Sequence, residues 1–143
     1  MAETIRIGSL TLTFLRSKDE TGGALDLFEL TVPPRAQVPV PHYHRGWEET
    51  VYGVAGVLTF TIDGEEVGIG PGDTAFIPRG IVHGFENRGA ETARCLGVLT
   101  PGVLGPAYFR EVAALFAAGV PPDEAKIREI MDRYGLVPVP AGS

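Results

Sequence analysis

The stretch Pro41-His42-Tyr43-His44-Arg45-Gly46-Trp47-Glu48-Glu49 places two histidines one residue apart and a pair of carboxylates just beyond them. In an extended strand, residues i and i+2 point to the same face, so His42 and His44 can direct both imidazoles at one point. The prolines at 39 and 41 favour an extended chain, because each disfavours helix at the residue before it. Since imidazole and carboxylate are good ligands for transition metals, the stretch predicts part of a metal site. An isolated pair of this kind is more often an ordinary surface or core feature.

The third and last histidine of the chain, His83, lies in a second stretch punctuated by glycine and proline, residues 72–87. Extended to Gly56, the first stretch has the pattern H-x-H, four residues, Glu, six residues, Gly. The second has the pattern Gly, five residues, Pro-x-Gly, two residues, His, three residues, Asn. In this order and spacing, the two patterns resemble the two sequence motifs of the cupin superfamily, in its small, single-domain, quercetin-dioxygenase-like form.

The resemblance implies a metal site built from His42, His44, Glu49 and His83. One divalent transition metal per chain is expected there, and Fe, Mn, Ni, Cu, Co and Zn all suit this ligand set. Three histidines and one carboxylate leave coordination positions for water or substrate. Glu49 is also the candidate catalytic residue, because a carboxylate that releases the metal can act as a base. Glu48 is one position off the family pattern and is expected in a supporting or solvated role.

Short alternating segments separated by Gly- and Pro-containing turns run through most of the chain, which is typical of an all-β sandwich or barrel. Residues 57–62 form the clearest strand, and Asp63-Gly64 after it predicts a hairpin. With the resemblance, the expected fold is a double-stranded β-helix, the jelly-roll barrel of cupins, over residues 1–103.

Residues 104–143 change character, with apolar residues at helical spacing. One helix is expected to open at Pro106 and end at Gly119, and a second to run from Pro121-Pro122-Asp123-Glu124 to Gly135. This helical extension is expected to pack on the barrel, on a partner subunit or over the barrel mouth. Pro138 to Ser143 is expected to fray.

Period-2 alternation from Glu49 places two further residues, Val51 and Gly53, on the metal side of their strand. Together with apolar interior positions, they give the candidate pocket residues Val51, Gly53, Phe60, Phe76 and Phe85. All five fit a packed β-barrel core equally well. Trp47, the only tryptophan, is expected on the surface or packed on the barrel, with a place at the pocket entrance as the alternative.

Length and composition set further bounds. The 143 residues suit one domain, and the net charge of −6 without a cluster of Lys or Arg argues against nucleic acid as a partner. The single cysteine, Cys95, suits a reducing compartment. Without an apolar signal core or a span of membrane length, a cytoplasmic protein that does not engage membranes is expected. The resemblance also implies a homodimer, and exposed strand edges need covering.

The resemblance favours a metal-dependent dioxygenase acting on a small apolar or aromatic molecule, flavonol- or diketone-like. Two alternatives stay open. One is a non-catalytic module that binds a metal or small molecule, and the other is a redox-neutral isomerase or lyase that uses the metal as a Lewis acid. Cupins share ligands while differing in chemistry, because a fold does not fix a function.

Overall fold

The computed structural model describes residues 2–117 and 121–139, which contain eleven strands and two helices. The strands are β1 (Glu3–Ile7), β2 (Leu10–Arg16), β3 (Asp26–Val32), β4 (His42–His44), β5 (Glu48–Ala55), β6 (Leu58–Ile62), β7 (Glu65–Ile69), β8 (Thr74–Ile77), β9 (His83–Glu86), β10 (Ala93–Thr100) and β11 (Leu136–Pro138). The helices are α1 (Gly105–Phe116) and α2 (Glu124–Tyr134).

Two antiparallel sheets enclose one core. The larger has the order β1-β2-β3-β10-β5-β8 and the smaller β11-β4-β9-β6-β7. Strands distant in sequence are neighbours in both sheets, as in a jelly roll. The predicted all-β, double-stranded β-helix fold with a C-terminal pair of helices is confirmed. Asp63-Gly64 joins β6 to β7, as its hairpin signal predicts.

Alternation along the strands decides which side chains form the core. In β2, the buried residues are Leu10, Leu12 and Phe14, and their neighbours between them are partly exposed. In β3, Phe28, Leu30 and Val32 are buried in the same way. Because side chains of a strand alternate between faces, one face of the larger sheet is apolar and packs inward. The core cluster continues into the helices through Tyr108 and Met131.

The C-terminal helices are fixed by specific contacts. The fully buried carboxylate of Asp26 accepts hydrogen bonds from the backbone N–H of Lys18 (2.7 Å) and of Gly105 (3.0 Å), which ties the start of α1 to the larger sheet. Helix α2 begins after Asp123, whose carboxylate caps the N–H of Ala125 at 2.9 Å. The predicted start of each helix is confirmed. The predicted end of the first at Gly119 lies outside the described residues.

The expectation that the chain frays from Pro138 onwards is wrong for the residues the structure describes. Strand β11 pairs with β4, with Leu136 opposite His44 and Pro138 opposite His42, and the N–H of Val139 donates to the carbonyl of Pro41 (2.9 Å). Positions 140–143 lie outside the description. The domain boundary predicted at residue 103 stays a prediction. The segment after it contributes β11 to the smaller sheet.

Neither described helix has the length and apolar character needed to cross a membrane.

Candidate metal centre

Three imidazoles meet on the inner face of the smaller sheet. His42 and His44 alternate along β4, and His83 at the start of β9 lies directly opposite His42. Cross-strand partners bring their Cβ atoms close together, so sheet register assembles the cluster. The ring centroids are separated by 4.6–5.1 Å, and each ring offers a nitrogen within 4.8 Å of the others.

Backbone hydrogen bonds fix the protonation of two of these rings. The Nδ1–H of His42 donates to the carbonyl of Val40 (2.8 Å), and the Nδ1–H of His83 donates to the carbonyl of Ile81 (3.0 Å). Each bond joins a histidine to the carbonyl two residues before it. With the proton held on Nδ1, Nε2 keeps its lone pair, which is the arrangement that metal-binding histidines use.

Burial keeps the imidazoles neutral. Desolvation lowers the pKa of His42 to about 4, with repulsion by His83 adding to it. Desolvation, then repulsion by His83 and His42, lowers the pKa of His44 to about 2. Desolvation also lowers the pKa of His83. All three rings are therefore in the unprotonated, ligand-competent form at neutral pH.

Glu49 comes from the other sheet. It lies on β5, is half-buried and lines the same cavity as the histidines. Desolvation raises the pKa of its carboxyl to about 7, a value suited to a group that exchanges a proton at neutral pH. The ligand nitrogens of the three histidines lie within 4.8 Å of one another, and the Glu49 carboxylate is not part of this group. Glu48 faces away from the cavity and pairs with Arg79 on the surface.

Trp47 and β11 pack around His44. The indole stacks on the His44 ring and is 1% exposed, which confirms the packing role expected for Trp47. On the far side, Gly135 lies against the indole and Leu136 pairs with His44. Local sequence patterns do not predict the pairing of β11 with β4, because β11 is three residues long and begins directly after the end of α2.

The histidines open into a cavity of about 430 Å³, within the usual size of a small-molecule site. Its walls are mostly apolar and come from both sheets and both helices. Residues of the two helices that line it are Tyr108, Phe109, Val112, Phe116, Glu124, Ile127, Arg128 and Met131. The exposed lining residues, which mark the mouth, are Gln37, Pro39, Val40, Pro121, Glu124 and Arg128. The position over the barrel mouth, one of the three expected for the helices, agrees with the helical residues found in the cavity wall.

Two of the five candidate pocket residues line the cavity, and the other three do not. Phe60 and Phe85 line the cavity and pack on each other, with ring centroids 5.7 Å apart. Val51 is fully buried in the core and Gly53 approaches the other backbone so closely that a Cβ would lie 2.0 Å from the carbonyl oxygen of Gly70. Neither of these two lines the cavity.

The expectation that Phe76 lines the pocket is wrong, because its side chain lies on the outer face of the sheet. It is 57% exposed and pairs with Thr50 on the outer face of the larger sheet. Because β8 is an edge strand only four residues long, its alternation carried too little signal to fix which side faced inward.

The donor set fits a transition-metal ion. Buried neutral imidazoles on three converging side chains, with a carboxylate on the opposite wall, are the ligands that Fe, Ni, Cu, Zn and Co prefer. Among the residues that the structure describes, the buried Nδ1 of His44 has no hydrogen-bond partner. The stack on Trp47 therefore holds this ring in place of such a hydrogen bond, and its Nδ1 is left without a protein partner among these residues.

A comparison with protein families decides the wider assignment. The sequence profile of the cupin domain family matches residues 28–99, which is more than half of the chain. The chain belongs to the cupin family. The matched region of this cupin contains all three histidines and Glu49 and excludes α1, α2 and β11.

Relatives of this cupin carry different activities. It is 33% identical over 91 residues to a quercetin 2,3-dioxygenase of Bacillus subtilis strain 168, covering 64% of this chain and 26% of that protein. The chain therefore spans about a quarter of the length of this relative. Among solved structures, the polyketide cyclase RemF of Streptomyces resistomycificus is 31% identical, with a TM-score of 0.58 and coverage of 70% of this chain and 72% of that one. A protein described as a predicted oxalate decarboxylase of Thermotoga maritima is 25% identical, with a TM-score of 0.62 and coverage of 71% and 92%.

Proposed function

We propose that this cupin is a metal-dependent enzyme that acts on a small apolar or aromatic molecule. Its metal would be one divalent transition ion per chain, held by His42, His44 and His83 with Glu49 as an adjustable fourth ligand. The observation that carries the proposal is the convergence of three buried, neutral imidazoles on a mostly apolar cavity of about 430 Å³. Such a cavity suits a flat organic molecule that brings its own oxygens to the metal.

The residues of the site have separable roles in this proposal. The bound ion would supply Lewis-acid polarisation of substrate oxygens and, if it is redox-active, reactivity with dioxygen. Glu49, with its raised pKa, would accept a proton from a substrate hydroxyl as that oxygen approaches the metal. Phe60 and Phe85 would hold an aromatic ring and exclude water.

Dioxygenase chemistry on a flavonol or β-diketone is the reaction we favour. Both substrate classes carry two neighbouring oxygens that can chelate one ion, and the apolar walls match their carbon framework. The quercetin 2,3-dioxygenase relative supports this class, although the likeness covers only a quarter of that protein.

Oxygen uptake tests the proposal directly. The protein is loaded in turn with Fe, Mn, Ni, Co and Cu and mixed with flavonols and β-diketones in an oxygen-electrode cell. We expect uptake with at least one metal, a loss of at least ~100-fold in the Glu49→Gln variant, as for removal of a catalytic acid–base group, and full activity in Glu48→Gln. Glu48 is a matched control because it is the neighbouring carboxylate and faces away from the cavity. No uptake with any metal, or equal rates in both variants, would remove the dioxygenase assignment.

A redox-neutral isomerase, lyase or cyclase is the second candidate. It is favoured by the likeness to the polyketide cyclase RemF, which covers 72% of that chain, compared with 26% of the dioxygenase. Turnover by the Zn-loaded protein without oxygen would select this class. Tight retention of a ligand without turnover under any condition would instead select a non-catalytic binding module.

We also propose that the protein forms a homodimer and resides in the cytoplasm. Tyr52 and Phe76 are 46% and 57% exposed on the outer face of the larger sheet, next to the open edge of β8. Two exposed aromatic side chains beside an unpaired edge favour association with a second copy. Light scattering should give twice the monomer mass and Phe76→Ser should lower it, whereas a monomeric wild type would contradict the dimer.

A further inference from the structure

Tyr108 is a polar residue in an apolar wall. It lies on the inner face of α1, is 6% exposed and lines the cavity. Within residues 2–117 and 121–139, no hydrogen bond involves its hydroxyl, although the hydroxyl of the neighbouring Tyr134 donates to Glu111. Burial raises the pKa of Tyr108, so the phenol keeps its proton and can act as a donor.

The hydroxyl also retains open space. Two side-chain polar atoms of the described residues are completely buried without a partner, His44 Nδ1 and Trp47 Nε1, and the Tyr108 hydroxyl is not one of them. Since Tyr108 is only 6% exposed and lines the cavity, we infer that its hydroxyl faces the cavity. The donor is thus available to a molecule that occupies it.

Among the described residues, the neighbours of Tyr108 do not accept a hydrogen bond from this donor. Its ring packs edge-on against Phe109 (centroids 4.9 Å apart) and Tyr134 (5.5 Å). Other residues that line the same cavity, among them Leu104, Val112, Met131 and Leu136, are apolar. An unpaired hydroxyl in apolar surroundings is destabilising, and phenylalanine would fill the same space without that cost.

We propose that Tyr108 is a specificity-determining residue that donates a hydrogen bond to an oxygen of the bound substrate. The oxygen is one that the metal end of the cavity does not engage, so the substrate is an aromatic molecule with at least one oxygen substituent beyond its chelating pair. This inference rests on the proposed function and narrows its substrate class. Apolar pockets commonly orient their ligands with a few polar groups of this kind.

Binding of matched flavones tests this role separately from chelation. Metal-loaded protein is equilibrated without oxygen with flavone, 6-hydroxyflavone, 7-hydroxyflavone and 4′-hydroxyflavone, none of which carries the 3-hydroxyl of a flavonol. In the wild type, we expect one hydroxylated compound to bind about three- to ten-fold more tightly than flavone, the value of one hydrogen bond. Tyr108→Phe should abolish that preference while leaving the affinity for flavone within about two-fold, since it removes only the donor.

Tyr134→Phe is the matched control, because it removes a hydroxyl from the adjacent ring on the exposed side and should keep the preference. The melting temperature of each ligand-free protein tests whether the Tyr108 hydroxyl has a structural role instead. Tyr108→Phe should melt at or above the wild-type temperature, because no hydrogen bond of the described residues is lost. A hydroxyl preference that persists in Tyr108→Phe, or the absence of any preference or any flavone binding in the wild type, would overturn the inference.

A further ligand distinguishes this failure from that of the proposed function. The flavonol 3-hydroxyflavone adds the chelating pair to flavone. If it binds no more tightly than flavone to metal-loaded protein, the proposed chelation at the three histidines fails, whatever the outcome at Tyr108.

Discussion

The indole of Trp47 lies almost parallel to the imidazole of His44, with the ring centroids 4.6 Å apart and an interplanar angle of 20°. Because the indole is 1% exposed, it cannot move without a rearrangement of the core, and it fixes the plane of the histidine. Gly135 lies against the other part of the indole, with its ideal Cβ position 3.3 Å from the ring. The C-terminal segment thus supports a candidate metal ligand through Trp47.

This stack makes the only tryptophan of the chain a reporter of metal binding. Addition of Cu²⁺, Ni²⁺ or Co²⁺ to metal-free protein should quench Trp47 emission, because the ion would be held by the imidazole on which the indole stacks. The titration should saturate at one ion per chain. The same titration of His83→Ala, which keeps the stack and removes a ligand, should show no saturating quenching. Equal quenching in both proteins would mean that the ion binds elsewhere.

Gly135→Ala should destabilise the fold more than the same substitution at another glycine whose backbone conformation is equally strained. Gly135 ends α2 in the left-handed region with φ of 91°, and its Cβ would press on Trp47. Gly72 has φ of 85° with nothing within 4 Å of its Cβ position, so Gly72→Ala measures strain alone. We expect a cost of about 1 kcal/mol for Gly72→Ala and a clearly larger one for Gly135→Ala in urea denaturation.

Gly135→Ala should also weaken metal binding, since the displaced indole carries His44 with it. The tryptophan titration measures this effect alongside stability. Equal costs for the two variants, with unchanged metal affinity, would show that the segment does not support the site.

The stability of the metal-free protein should depend on pH through Glu49. Its folded pKa of about 7 lies above the ordinary value of 4.5, so the folded state holds the proton more tightly than the unfolded state does. The stabilisation is complete below pH 4.5 and is lost as the pH rises through about 7. In Glu49→Gln, this contribution should be absent, so between pH 4.5 and about 7 the free energy of unfolding should rise more with pH than in a protein that retains Glu49.

Glu48→Gln is the control for this pH series. It retains Glu49, and both variants retain the three histidines. The lowered pKa values of these histidines reduce the free energy of unfolding as the pH falls, which is the opposite sense to Glu49. This effect is common to the two variants, so the difference between them isolates Glu49. Parallel pH profiles for the two variants would contradict the raised pKa.

The sequence was sufficient for the parts of this protein that local rules decide. Alternation in β2 and β3, the Asp63-Gly64 hairpin and the start of the second helix at Pro121-Pro122-Asp123-Glu124 are all local signals, and the structure agrees with each. The spacing of His42 and His44 required only the geometry of one strand. Convergence of His83 with them followed from the family resemblance, since its partner strand is about forty residues away.

What the sequence missed depends on contacts between distant segments. Strand β11 is too short to be recognised alone, and it forms because β4 offers an open edge beside it. Phe76 was misplaced because a four-residue edge strand has little alternation. The unpaired donor of Tyr108 was also invisible, because on α1 it follows the same helical spacing as the apolar residues around it.

Metal content per chain tests the central claim most directly. Native protein, His83→Ala and Glu48→Gln are purified identically, reconstituted and measured by inductively coupled plasma mass spectrometry. The account predicts close to one transition-metal ion per chain in the native protein and in Glu48→Gln, and a clear loss of metal in His83→Ala, because one of the three imidazole ligands is removed. Equal metal in all three proteins, or none in the native protein after reconstitution, would contradict a metal centre built on His42, His44 and His83.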